Sequence, residues 1–129
     1  MSTIEGFFFF VLYLVFGVAM LAVFTRLYMT VTPYDEAKDI HDGKMAPAIA
    51  LAGAMLGFTF PLLVASYTHT YFFGFLLWGI IAGMVQLGAF WLLYTYLPRY
   101  IETNNTAGAT VFAVASICVG LINAASFIP

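Results

Sequence analysis

The chain has 129 residues, of which 64% are hydrophobic and only 8% are charged. A soluble domain holds about 45–50% apolar residues and needs a polar coat, which ten charged side chains cannot supply. The net charge of −2, with four Lys and Arg residues in all, also excludes a basic surface for nucleic acid. The composition therefore predicts a protein that lies mostly in lipid.

Charged residues divide the chain into apolar stretches of membrane-crossing length. Residues 6–25, 45–98 and 103–129 contain no charge. A helix needs about 20 apolar residues to cross the hydrocarbon, so the middle stretch holds two helices, separated at its polar run 66–70. The pattern predicts an all-α integral membrane protein, a single domain over residues 1–129, with spans at approximately 6–28, 46–67, 71–97 and 107–128. The apolar runs do not alternate with polar residues as the strands of a membrane barrel would.

The basic residues predict the orientation of the spans. All four lie at or in the two connections around 29–45 and 98–106, which share one side of the membrane: Arg26, Lys38, Lys44 and Arg99. Lys and Arg are retained on the cytoplasmic side. We therefore expect both termini on the outer side of the membrane.

The two halves of the chain resemble each other, so we expect an internal repeat of residues 6–67 and 71–128. Aligning Ile40 with Ile101 places Ala46 on Ala107 and Ala52 on Ala113. Each half contains two spans, so the two copies share one orientation and form a parallel repeat of two helix pairs.

Small residues at four-residue spacing indicate close helix contacts. They occur in the second, third and fourth spans, as Gly53 and Gly57, Gly79 and Gly83, and Ser116, Gly120 and Ala124. Small residues allow helix backbones to approach in lipid. The stripes are consistent either with packing inside the four-helix unit or with a dimer face.

Few polar groups lie inside the predicted spans. Gln86 is near the midplane, and Asn123 lies in the outer half at a depth similar to Pro61. Pro61 cannot donate to the carbonyl of Gly57, so a kink with a free acceptor is expected there. The two amides either bridge helices or line a polar path. No charged residue or histidine lies in a span interior, so we predict no catalytic residue, no metal site and no cofactor, and we consider an enzyme the least favoured class.

The connection 32–44 is the most distinctive polar segment. It is either a solvated link with a short interfacial helix or a docking loop for a cytoplasmic partner, and its candidate docking residues are Tyr34, Asp35, Glu36, Asp39 and Asp42. In the second connection, Asn104 and Asn105 are expected to cap the fourth span.

Five segments, in this order along the chain, resemble those of a known family. They are residues 32–36, 53–62, 78–82 with Gln86, 104–107 and 120–125. Together they closely resemble the YjfL-like small bacterial inner-membrane proteins, the family of domain of unknown function 350. The resemblance implies a four-pass inner-membrane protein built from two similar helix pairs, with no established activity, substrate or cofactor. The family's usual cysteine near the C-terminus is matched here by Ser126.

Two functional hypotheses follow. The first is a small homo-oligomeric channel or transporter-like subunit, whose polar path includes Gln86 and Asn123. The alternative is a non-transporting scaffold or accessory subunit, which joins a larger membrane complex through its acidic loop or its lipid-facing surface. In both, the lipid bilayer is the first partner.

Overall fold

The computed structural model describes residues 2–68 and 71–128, and these form five helices. The four long helices and one short helix are α1 (Thr3–Val31), α2 (Glu36–His41), α3 (Met45–Thr68), α4 (Phe72–Tyr96) and α5 (Thr106–Ala125). α1, α3, α4 and α5 are each long and apolar enough to cross a membrane. The predicted all-α membrane fold with four spans is therefore confirmed.

The observed helix ends differ from the predicted spans by up to three residues because local backbone chemistry sets them. α1 begins at a capping box, in which Ser2 and Glu5 each bind the other's backbone N–H. It continues to Val31 because Thr32, which precedes Pro33, is extended. α4 likewise stops before Leu97, which precedes Pro98.

α3 and α5 form the most extensive helix pair and the centre of the molecule. They run parallel, since Gly53 lies against Ala113 and Gly57 lies further along beside Gly120. Both helices therefore begin at one end of the bundle, which we call the α2 end. The connection between α3 and α4 lies at the opposite end, and its residues 69 and 70 are outside the described residues.

α4 packs against both α3 and α5, whereas α1 packs against α3 and α4. Only Phe24 and Tyr28 of α1 are buried. The Phe24 ring stacks on Phe58 of α3 with centroids 4.5 Å apart, and Tyr28 meets Phe90 of α4 edge to face at 4.7 Å. Tyr13 of α1 also contacts Phe72 at the start of α4, so aromatic contacts hold α1 along its length.

Candidate functional site

Gly57 and Gln86, two of the predicted intramembrane positions, meet where α3 crosses α5. A Cβ built on Gly57 would lie 2.5 Å from the carbonyl oxygen of Ser116, and one built on Gly120 would lie 2.0 Å from the carbonyl oxygen of Gly57. Only glycine allows two backbones to approach so closely. Cα–H groups at such crossings interact weakly with carbonyl oxygens. Gly57 and Gly120 therefore form a backbone-to-backbone contact, which we call the glycine crossing.

Pro61 lies inside α3, one turn beyond Gly57, and is buried. Because proline has no N–H, the Gly57 carbonyl receives no helical hydrogen bond from position 61. That carbonyl oxygen is the atom against which Gly120 packs. The kink and the free acceptor expected here stay predictions, and the structure identifies Gly120 as the neighbour of that carbonyl oxygen.

Gln86 of α4 is buried at the same crossing. Its Nε2 donates to the carbonyl oxygen of Ser116 at 3.1 Å, and the same nitrogen lies 2.7 Å from the position that a Gly57 Cβ would occupy. Gln86 therefore fills the space left by the missing side chain and joins α4 to α5. The buried Oε1 of Gln86 has no hydrogen-bond partner among the described residues.

Asn123 joins the same two helices nearer the opposite end. Its Nδ2 donates to the carbonyl oxygen of Ala82 at 3.1 Å, and Ala82 lies one helical turn from Gln86 on α4. Asn123 is half-buried and borders a cleft of about 350 Å³ that also includes Trp78 and Ser126. Each of the two amides thus bonds a main-chain carbonyl of a neighbouring helix.

The candidate docking residues at the α2 end do not share one environment. Asp35 caps α2 by accepting from the backbone N–H of Lys38 at 3.2 Å, and Asp39 pairs with Lys44 at 3.4 Å. Asp35 and Asp42 are exposed and Tyr34 is half-buried. Glu36 is only 1% exposed, so the outward charges of this loop come from its aspartates and lysines.

Glu36 belongs to a group of side chains that the sequence did not bring together. This tyrosine–carboxyl cluster consists of Tyr28, Thr32, Tyr34, Glu36, Tyr94 and Glu102, from both connections and the adjoining helix ends. The hydroxyls of Tyr28 and Tyr34 lie 3.5 Å apart, and Tyr94 donates to Glu102 Oε1 at 2.6 Å. The cluster links the first connection to the second. No spacing in the sequence indicates these pairings.

Burial changes the acid–base behaviour of the cluster outside the spans. Burial raises the pKa of Glu36 above its ordinary value. Hydrogen bonds from the Thr32 hydroxyl and from the backbone N–H of Glu36 oppose this rise in pKa, and the charges of Asp35 and Asp39 reinforce it. Burial likewise raises the pKa of Tyr34, and nearby Tyr28, Glu36 and Glu102 raise it further. Both groups therefore hold their protons more tightly than they would in water.

The capping residues of the second connection divide between two helices. Asn105 caps α5, accepting from the backbone N–H of Gly108 at 3.0 Å. Asn104, expected from its position to cap the same helix, instead accepts from the backbone N–H of Ala46 at the start of α3. Lys44 precedes α3 and its side chain carries no oxygen that could cap the helix, so Asn104 supplies that oxygen.

In the described part of the chain, no three His, Cys, Asp or Glu residues are grouped in a way that could hold a metal ion. Cys118 is a free thiol on the exposed side of α5. The chemistry of the site is therefore that of hydrogen bonds, backbone contacts and buried hydroxyl and carboxyl groups.

These features define the class as a small multi-pass α-helical membrane protein with its polar groups concentrated at helix crossings and at one end. The family described as Domain of Unknown Function (DUF350) matches residues 2–127, and the chain belongs to that family. The chain is 32% identical over 116 residues to UPF0719 inner membrane protein YjfL of Escherichia coli strain K12, with 88% of each chain covered. The protein of the same name from Escherichia coli O157:H7 gives the same values. No solved structure matches this chain significantly.

Proposed function

We propose that this protein is a non-transporting structural or accessory subunit of an assembly in the bacterial inner membrane. The observation that carries the proposal is that Gln86 and Asn123 both donate to main-chain carbonyls of neighbouring helices in their own chain. The amide nitrogens that hold helices together in this way are not available to bind a passing solute. The relatives are named as inner membrane proteins, which supports a location in the bacterial inner membrane.

The helix that offers most surface to a neighbour is α1. It has a run of exposed phenylalanines at one end, Phe7 to Phe10. Apolar clefts flank it on both sides, one of about 630 Å³ against α3 and one of about 300 Å³ against α4. Close contacts drive helix association in lipid, so we assign the assembly face to α1. Asp35 and Asp42 are exposed at the α2 end.

A photo-crosslinking experiment tests the assembly face. A photoreactive phenylalanine analogue replaces Phe8 on α1 or, as the matched control, Leu121 on the exposed side of α5. In native membranes we expect a crosslinked product of discrete mass from position 8 and none from position 121. A product of twice the chain's mass identifies a second copy as the partner, and mass spectrometry identifies any other protein. Crosslinking of position 8 to lipid alone contradicts the proposal.

A second candidate is an oligomeric channel or transporter-like subunit. The unpaired Gln86 Oε1 favours it, since an unpaired amide oxygen in the middle of a span is a group that a solute or ion would satisfy. Flux through liposomes separates the two candidates. The structural role predicts no flux above that of protein-free vesicles. The channel role predicts flux that Gln86→Leu and Asn123→Leu reduce.

We also propose that the α2 end faces the cytoplasm, with both termini outside. Arg26, Lys38, Lys44 and Arg99 all lie toward this end, and the retention of Lys and Arg on the cytoplasmic side supports the assignment.

A further inference from the structure

The strongest unassigned feature is the carboxyl group of Glu36, buried where α1 ends and α2 begins. Glu36 is only 1% exposed. The ion pairs within the described residues are Lys44 with Asp39 and Arg99 with Glu102, and neither includes Glu36. A buried carboxylate without a cation is strongly disfavoured, whereas a neutral carboxylic acid is tolerated when it is hydrogen-bonded.

The hydrogen bonds available to Thr32 also favour the protonated form of Glu36. The Thr32 hydroxyl is within hydrogen-bond reach of three oxygens: the carbonyls of Met29 and Tyr34 and Glu36 Oε1. A hydroxyl has one hydrogen and two lone pairs. If Glu36 were a carboxylate, Thr32 could donate either to it or to a carbonyl, but not to both. If Glu36 carries a proton, its own O–H donates to Thr32, and Thr32 donates to Met29.

The charges around Glu36 favour the protonated form. Asp35, which caps α2, and Asp39 within it repel a negative charge. Neither nearby lysine forms an ion pair with Glu36 among the described residues, because Lys44 pairs with Asp39 and Lys38 is exposed. On the neighbouring elements Glu36 meets hydroxyl groups, those of Tyr28 and Tyr34, both within its electrostatic reach.

The other cluster carboxyl, Glu102, has the opposite surroundings. It accepts from the Tyr94 hydroxyl and lies 3.5 Å from Arg99. The two carboxyl groups of the cluster therefore differ in their surroundings, because Glu102 lies beside a cation and Glu36 does not.

We propose that Glu36 is a proton-binding site, and that its bound proton fastens α2 to the end of α1. Ionisation places an unpaired charge at a buried position, and that charge is relieved when Glu36 moves into water. Because Glu36 is the first residue of the six-residue α2, this movement carries α2 with it. Proton occupancy thus sets the position of the loop that bears Asp35 and Asp42.

The sign of the pH dependence follows from the raised pKa of Glu36, whose ordinary value is 4.5. The folded state holds this proton more tightly than the unfolded state. The stabilisation is therefore complete below pH 4.5, decreases as the pH rises, and is lost once the pH passes the pKa of the folded protein.

Infrared spectroscopy of the full-length protein in nanodiscs tests the proposal. We expect the carbonyl-stretch band of a protonated carboxylic acid in the wild type, with a titration midpoint above the ordinary carboxyl value. Glu36→Gln, which keeps the shape of the side chain, removes the band. Asp42→Asn, at an exposed position of the same loop, leaves it in place.

A second measurement follows the thermal midpoint of unfolding from pH 4.5 upward. The wild type and Asp42→Asn lose stability as the pH rises, and Glu36→Gln lacks this component. The proposal is overturned if the band titrates at the ordinary carboxyl value, if it persists in Glu36→Gln, or if Glu36→Gln keeps the wild-type pH dependence.

Discussion

Asn104 accepts a hydrogen bond from the backbone N–H of Ala46 at 3.0 Å, although the two residues are 58 positions apart. The second connection thereby caps the first helix of the central pair. Asn104 adopts a left-handed backbone with φ of 55°, which asparagine tolerates better than most residues. One side chain thus ties the two halves of the chain together at the α2 end.

Replacing Asn104 should lower the stability of the fold through two effects that different variants can separate. Asn104→Gly keeps the left-handed backbone accessible but loses the hydrogen bond to Ala46, which lowers the free energy of unfolding by about 0.5–1.5 kcal/mol. Asn104→Ala loses the cap and also strains the backbone, so we expect it to unfold at a lower temperature than Asn104→Gly. Thermal unfolding in detergent measures both. Equal stability of the two variants would remove the backbone part of this explanation.

Gly120→Ala should disrupt the α3–α5 pair. The added methyl group would lie 2.0 Å from the Gly57 carbonyl oxygen, so the helices must separate. Gly88→Ala is the matched control, because nothing lies within 4 Å of its Cβ position. We expect Gly120→Ala to lose much of its folded population in detergent, and Gly88→Ala to match or exceed wild-type stability, since alanine favours helix. Similar behaviour of the two variants would contradict the glycine crossing.

The two amides should differ in what their loss costs. Gln86→Leu removes a hydrogen bond worth about 0.6–2 kcal/mol, but it also removes the unpaired Oε1, whose burial costs about 1–3 kcal/mol. Asn123→Leu removes a bond without that relief. We therefore expect Asn123→Leu to lower the midpoint of unfolding more than Gln86→Leu. The reverse order would show that Gln86 contributes more than its single bond.

Cysteine labelling tests the orientation. In a Cys118→Ser background, single cysteines at Asp42 and at Tyr71 report on the two ends of the bundle, and both positions are exposed. A membrane-impermeant maleimide applied to intact cells should label position 71, and position 42 should react only after permeabilisation. Labelling of position 42 in intact cells would reverse the proposed topology.

The membrane architecture was predictable because charge spacing alone decides which stretches can enter hydrocarbon. The loss of the helical N–H donor to the Gly57 carbonyl follows from Pro61 alone, which lacks an N–H whatever its surroundings. The small residues of α3 and α5 indicated close packing but left the partner open, and the structure pairs Gly57 with Gly120 of the same chain. The internal repeat remains a prediction.

The burial of Glu36 could not be predicted from the sequence. An acidic residue in a polar loop is ordinarily solvated, and only the meeting of the two connections encloses this one. The role of Asn104 was missed for a similar reason, because a cap is expected to serve the helix that follows it. Both depend on contacts between residues distant in sequence, which local patterns do not record.

The glycine crossing can form only after the last helix has been synthesised. α3 leaves the ribosome well before α5, so its proline-freed carbonyl enters the bilayer ahead of the glycine that will cover it. An uncovered carbonyl is costly in hydrocarbon. The nascent chain is therefore least stable after α3 has entered the membrane and before α5 has done so. Synthesis of α5 completes the fold.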